Sequence, residues 1–190
     1  AKKIFLGTQF EATDARRLFP CWDEPAFRAR FQLTTVVPEN WMAVSNMPVA
    51  SERKVSGGRE VEFQPTPSMS TYLVVFCAGE FDAVESEVDG VKLRITTTKG
   101  KGESAHYALE VTAQILHYYN EYFGIPYPLP KLDQLAIPGG FGGAMENWGA
   151  IFSFESILLN DPSITSEERL QAIYAVEAHE MAHQWFGDLV

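Results

Sequence analysis

The chain has 190 residues, of which 46% are apolar and 21% are charged. This composition is typical of a globular protein and excludes a disordered chain, and the length suffices to bury a core in one large domain or two small ones. Acidic residues number 25 and basic residues 15, which gives a net charge of −10 and disfavours nucleic acid as a partner.

The longest apolar run, residues 72–79, is much shorter than the ~20 residues that a transmembrane helix needs, so we expect no membrane segment in this chain. The two cysteines, Cys21 and Cys77, are too few for a disulfide framework. We therefore expect both to be buried thiols, and the sequence leaves the cellular compartment open.

Residues 1–85 are predicted to form a β-rich domain. Their β-branched and aromatic runs are separated by Pro, Gly and Asn residues, which favour turns. The predicted strands are residues 29–37, 41–45, 60–64 and 71–79. The acidic segment 81–90 is predicted to be a turn, and this prediction places the domain boundary near residue 85.

Residues 86–190 are predicted to mix strands and helices. A strand at 91–98 precedes a helix that begins near Ser104 and ends before Gly124, and two further strands follow at 132–137 and 150–154. The last helix is predicted to begin with a capping box of Thr165 and Glu168 and to end at Gly187.

The last helix contains the sequence His-Glu-Met-Ala-His at residues 179–183. Residues four apart in a helix share one face, so His179 and His183 can both reach one metal ion. Zinc suits this donor set, and Glu180 is placed to take a proton from a water molecule at the metal. Taken alone, the motif also occurs in unrelated proteins.

A glycine-rich segment, residues 142–149, carries Glu146. Small residues before the carboxylate allow a peptide to approach the backbone and to pair as an added strand. The carboxylate would then bind a substrate ammonium. On spacing alone, a glycine loop with a solvated Glu is the better interpretation. Gln9 and Glu11 form a third candidate pair, because they share one face if this stretch is extended.

Taken together, these segments resemble the zinc aminopeptidases of the aminopeptidase N family. Residues 143–147, Gly-Ala-Met-Glu-Asn, match the exopeptidase motif of that family, and residues 179–187 match its zinc motif. Residues 8–12 and 19–25 resemble its β-domain segment that reaches into the catalytic cleft. The resemblance covers essentially the whole chain.

The resemblance implies a β-rich N-terminal domain, residues 1–85, followed by the start of a thermolysin-like α/β catalytic domain, residues 86–190. It also implies a zinc cofactor and peptide substrates with a free N-terminus, from which the enzyme removes N-terminal amino acids. By this resemblance Cys21, Trp22 and Asp23 are structural. The implied site consists of zinc ligands His179 and His183, general base Glu180, and substrate-binding residues Gln9, Glu11, Gly143, Ala144, Met145 and Glu146.

In one respect the chain departs from the family pattern. The family's third zinc ligand is a glutamate that would lie beyond Val190, so we expect the chain to be a fragment truncated after the zinc helix and to be inactive alone. Two alternatives are the epoxide-hydrolysing branch of the family, which has glycine at the position of Ala144, and a non-catalytic scaffold or binding module. The intact motif residues argue against the scaffold.

Overall fold

The computed structural model describes residues 4–139 and 143–190. The described residues form two compact units, the first comprising residues up to Glu80 together with Asn147–Ala150, and the second comprising the remainder. A compact unit need not coincide with a domain, so the boundary near residue 85 stays a prediction.

Short antiparallel strands build the first unit. They are β1 Phe5–Gly7, β2 Arg28–Ala29, β3 Thr34–Val37, β4 Met42–Ser45, β5 Val49–Val55, β6 Gly58–Phe63, β7 Met69–Ser70 and β8 Phe76–Gly79. Three small sheets result, with the strand orders β1-β8-β4, β2-β7 and β3-β6-β5. Val37, Val61 and Phe63 belong to a buried apolar cluster under them. The β-rich character predicted for this region is confirmed.

The predicted strand 29–37 is two strands with different partners. β2 pairs with β7, whereas β3 pairs with β6. Between them Phe31 exchanges two hydrogen bonds with Thr66, through the threonine hydroxyl and the threonine N–H. The prediction of one continuous strand is therefore wrong, because a side-chain hydroxyl replaces a ladder partner at Phe31.

Two further strand predictions need correction in this unit. Thr71–Leu73 form a 3₁₀ turn, so the strand predicted from residue 71 begins only at Phe76. β5 was not predicted at all. It lies at the edge of its sheet and its residues are almost all exposed, so it lacks the apolar alternation that reveals a half-buried strand.

The segment Cys21–Asp23 has one clearly structural member. The buried Asp23 carboxylate accepts hydrogen bonds from the Thr71 hydroxyl at 2.6 Å and from the Arg16 backbone N–H at 3.0 Å. Trp22 is 77% exposed. Cys77 is buried as expected, whereas Cys21 is only half-buried, so the prediction of two buried thiols is wrong for Cys21.

The second unit combines one sheet with helices. Its strands are β9 Phe81–Val88, β10 Val91–Thr98, β11 Lys131–Ile137, β12 Ala144–Met145 and β13 Ala150–Phe154, and its helices are α1 His106–Phe123, α2 Glu155–Leu158 and α3 Glu167–His183. The strand order is β12-β13-β11-β10-β9, and β10 and β11 are parallel. This mixed architecture confirms the α/β prediction. None of the helices described is long and apolar enough to cross a membrane.

The acidic segment 81–90, predicted as a turn, is mainly the strand β9. Only Asp89 and Gly90 form the turn, and both have positive φ. On the strand, Glu85 and Glu87 lie opposite Arg94 and Lys92 of β10. Opposite charges on neighbouring strands stabilise the pair, so the acidic residues do not prevent strand formation here.

A group of charges formed by the buried Lys131 and Asp133 and the half-buried Arg94 joins β10 to β11. Asp133 accepts two hydrogen bonds from the Arg94 guanidinium, at 2.9 and 2.7 Å, and one from Lys131 Nζ at 2.8 Å. Burial lowers the pKa of Lys131, and the Asp133 charge opposes that change. The carboxylate therefore compensates two cations at the start of the strand that leads to the glycine-rich segment.

We predict that Asp133→Asn destabilises the protein by about 3–5 kcal/mol, because removing one partner leaves buried charge uncompensated. The measurement is urea denaturation of the purified variants. Glu110→Gln makes the same charge change at an exposed position of α1 and should alter the free energy of unfolding by less than about 0.5 kcal/mol. Equal destabilisation by the two variants would contradict the role given to Asp133.

Candidate functional site

Helix α3 begins one residue later than the sequence predicts. Its N-cap is Ser166, whose hydroxyl accepts a hydrogen bond from the Arg169 N–H at 3.3 Å. The Thr165 hydroxyl instead donates to the Asp161 carbonyl at 2.6 Å. The predicted capping box of Thr165 and Glu168 is therefore wrong, since the threonine closes the preceding turn.

Aromatic side chains hold the position of α3 through its backbone. The Tyr107 hydroxyl donates to the Leu170 carbonyl at 3.2 Å, and the Tyr119 hydroxyl donates to the Ala178 carbonyl at 2.9 Å. Both tyrosines lie on α1, which thus contacts α3 at its beginning and directly before His179. These bonds restrain both the rotation of α3 about its axis and its position along that axis.

The two histidines of the predicted zinc motif converge. His179 is exposed and His183 is half-buried, and their Nε2 atoms lie 3.3 Å apart. Two nitrogen ligands of a tetrahedral zinc ion, at about 2.0–2.1 Å each, are about 3.3–3.4 Å apart. The pair therefore fits two positions of a zinc site. Within residues 4–139 and 143–190, no group of three or more His, Cys, Asp or Glu residues is placed to hold a metal ion.

The turn after α3 determines which nitrogen of His183 is free. The predicted end at Gly187 is wrong for the regular helix, which ends at His183 and continues as an irregular turn through Leu189. Gly187 has φ of 125°, and this turn brings the Phe186 carbonyl to 2.9 Å from His183 Nδ1. A carbonyl oxygen only accepts, so Nδ1 carries a hydrogen, and in the neutral ring Nε2 then has the lone pair that binds a ligand.

Two carboxylates lie on the buried side of the motif. Glu180 is buried directly after His179. One turn earlier, the carboxylate of Glu177 is buried and accepts hydrogen bonds from the Thr112 hydroxyl, at 3.1 Å, and from the Gln134 amide. Burial, aided by the charge of Glu180, raises the pKa of Glu177 to about 8, although both hydrogen bonds oppose the shift. This environment favours the neutral form of Glu177, which limits charge repulsion with Glu180.

The glycine-rich segment supplies a short strand at the edge of the sheet. β12 pairs antiparallel with β13, with Ala144 opposite Ser153 and Met145 opposite Phe152. In the described part of the chain β12 is the last strand of its sheet. Gly143 is exposed, Ala144 and Glu146 are half-buried, and Met145 is buried. Residue 142 of the predicted segment lies outside the described residues.

Gln9 and Glu11 lie in the first unit and are both exposed. The condition of an extended stretch is not met, because Glu11 begins a turn that is closed by a hydrogen bond from the Asp14 N–H to the Phe10 carbonyl at 2.9 Å. The Gln9 side-chain oxygen accepts from the Glu11 N–H at 2.7 Å. A local turn, and not a shared strand face, therefore brings these two residues together.

Comparison with known proteins matches two family models to this chain. The peptidase M1 N-terminal domain matches residues 1–73, and the peptidase family M1 domain matches residues 107–190. Aminopeptidase N of Acetobacter pasteurianus is 50% identical over 190 residues. The chain belongs to peptidase family M1.

Other M1 relatives also match the whole of this chain. Aminopeptidase M1 of Arabidopsis thaliana is 47% identical and the puromycin-sensitive aminopeptidase of Caenorhabditis elegans is 44% identical, each over all of this chain. The chain spans 54% of the length of the Acetobacter protein, 22% of the Arabidopsis protein and 20% of the Caenorhabditis protein. The M1 domain match includes the histidine motif and Glu146, and the N-terminal match includes Gln9 and Glu11.

Sequence reasoning missed two buried polar residues of this candidate site, Glu177 and Gln184. Both lie on the face of α3 and its following turn that also buries Ile173 and Glu180. Their spacing of three and four residues from apolar positions was available as a signal. It was missed because polar residues on a helix are normally assigned to its solvent face.

Proposed function

We propose that this chain is part of a zinc-dependent aminopeptidase that removes N-terminal amino acids from peptides. The observation that carries the proposal is the 3.3 Å separation of His179 Nε2 and His183 Nε2 beside the buried Glu180. The M1 relatives named above are aminopeptidases, which supports it. It is tested by the turnover of an aminoacyl chromogenic substrate together with the zinc content of the full-length enzyme.

In this proposal His179 and His183 are two of the zinc ligands and Glu180 is the general base. A zinc ion held there supplies Lewis acidity, which polarises the scissile carbonyl and makes water more acidic. Glu180 accepts a proton from the attacking water and delivers it to the leaving amine. The hydrogen bond of His183 Nδ1 to Phe186 keeps that ring in the orientation and tautomer required of a ligand.

Glu146, aided by Gln9 and Glu11, is proposed to bind the free α-ammonium of the substrate. Ala144 lies on the edge strand β12 and Gly143 directly precedes it, so their backbone groups can pair with an extended peptide. Met145 is buried, so its part in substrate binding is limited to its backbone. Because this site would bind only substrates with a charged N-terminus, the enzyme would be an exopeptidase.

We predict that Glu180→Gln in the full-length enzyme leaves zinc bound but lowers kcat by ~10²-fold or more, because general-base assistance contributes 10²–10⁴-fold. Glu167→Gln, an exposed position in the first turn of the same helix, serves as the control and should not change kcat. Measurement of kcat together with metal analysis checks both variants. Near-normal turnover by zinc-replete Glu180→Gln would refute the assignment.

We predict that N-acetylated peptides are not cleaved and that Glu146→Ala loses most of its activity on free-amine substrates. Without the carboxylate, the bound ammonium would be desolvated and uncompensated. The measurement compares kcat/KM for matched free and N-acetylated peptides. Equal hydrolysis of the two peptides would show an endopeptidase and would make this role of Glu146 wrong.

We also predict that the 190-residue chain by itself is catalytically silent and loses its zinc on dialysis. His179 and His183 supply two protein donors, whereas a catalytic zinc site uses three. Metal analysis and an aminoacyl-chromophore assay on the purified chain check this. Stoichiometric zinc with measurable turnover would mean that another side chain of this chain, or of a second copy, completes the site.

A further inference from the structure

Gln184, the residue after the second histidine, is fully buried and hydrogen-bonded on both sides of its amide. Its Nε2 donates to the backbone carbonyl of Glu146 at 2.7 Å and to the Asp188 carboxylate at 3.1 Å. Its Oε1 accepts from the Tyr127 hydroxyl at 3.1 Å. The amide therefore joins the end of the histidine helix to the glycine-rich segment that carries Glu146.

These partners allow only one orientation of the amide. A flipped amide would place its oxygen against the Glu146 carbonyl and the Asp188 carboxylate, which both only accept hydrogen bonds when the carboxylate is ionised. Tyr127 remains a donor, because burial and the nearby charge of Asp188 raise its pKa well above the usual value. The Gln184 side chain is thus a rigid link and not an adaptable one.

We propose that Gln184 is a positioning residue that fixes the backbone of Glu146 relative to the histidine helix and thereby sets the distance between the substrate ammonium and the scissile bond. The inference rests on the proposed function, since it gives Glu146 the ammonium and the histidines the metal. Gln184 touches neither the metal nor the substrate in this assignment.

Gln184 is covalently bonded to His183, so its hydrogen bond to Glu146 couples the positions of these two residues. Gln184 is the next residue after His183, so the position of its side chain follows any movement of that ligand. Glu146 follows directly on β12, a strand of only two residues that is paired on one side in the described chain. The hydrogen bond from Gln184 restrains the backbone directly after this strand. A misplacement of about 1 Å at an active site can cost ~10²-fold in rate.

The test is Gln184→Met in the full-length enzyme, because methionine has a similar volume and lacks the amide. We expect unchanged zinc content, a KM for alanine p-nitroanilide raised by roughly ten- to a hundredfold, and a smaller effect on kcat. Binding of alaninamide to the metal-depleted enzyme, measured by calorimetry, should weaken by a similar factor, whereas the weak binding of N-acetylalaninamide should not change. Gln114→Met, an exposed glutamine on α1, is the matched control and should leave every value unchanged.

The outcomes separate this inference from the proposed function. If the unaltered enzyme does not cleave the anilide, the proposed function fails and the inference fails with it. If the unaltered enzyme is active and Gln184→Met binds alaninamide normally, only the inference is overturned. Loss of zinc from Gln184→Met would also overturn it, because the residue would then act on the metal site.

Tyr127→Phe keeps the test decisive if Gln184→Met does not fold. Phenylalanine keeps the ring that packs against Trp185, with centroids 5.7 Å apart in the unaltered protein, and removes only the hydroxyl that orients the amide. We expect a KM raised by about three- to tenfold with normal zinc content. An unchanged KM and unchanged alaninamide binding would overturn the proposal.

Discussion

The position of helix α3 depends on two tyrosine hydroxyls that donate to its backbone carbonyls. Backbone carbonyls inside a helix already accept one hydrogen bond each, so these contacts use their second lone pairs and do not weaken the helix. Since Tyr119 contacts the carbonyl of Ala178, the restraint acts directly before His179. Helix geometry then places both imidazoles on one face, and the hydrogen bond from His183 Nδ1 to the Phe186 carbonyl orients the second ring.

The buried face of α3 is unusually polar for a helix that packs in a core. Glu177, Glu180 and Gln184 recur at spacings of three and four residues on that face. Burying such groups costs free energy unless each finds a partner, and partners exist only for one rotation of the helix. For Glu177 the partners are on α1 and β11, which carry Thr112 and Gln134. A polar face therefore adds specificity of packing where an apolar face would tolerate small rotations.

Sequence patterns predicted the elements whose signals are local. Helix α1, the strands β10, β11 and β13, and the histidine motif are all read from periodicity or from fixed spacing. β9 was missed because its acidic residues suggested a turn, although the cationic partners that favour a strand are on β10. The short separation of the two imidazole nitrogens was also predictable, because it follows from the four-residue spacing within one helix.

The polar partners within the site were not predictable, because they join residues far apart in sequence. Gln184 and Glu146 are 38 positions apart, and Gln184 and Tyr127 are 57 apart. A single sequence contains no periodicity that reports such a pair. Gln9 and Glu11 are a different case, because a local turn brings them together where an extended stretch was only a condition of the prediction. Residue types identified the chemistry of the candidate site, while its internal distances required the fold.

An aminopeptidase of the proposed kind would need accurate distances more than tight binding. A peptide paired with the edge of β12 would advance about 3.3 Å per residue, and a shift by one residue would also turn every side chain to the opposite face. Strand pairing alone favours many registers nearly equally, because backbone hydrogen bonds repeat along the chain. A carboxylate at one fixed point breaks that equality, since only the terminal residue carries an ammonium. This carboxylate selects one register only if it is held at a fixed distance from the histidines. In the described chain the amide of Gln184 provides a direct side-chain restraint of that kind.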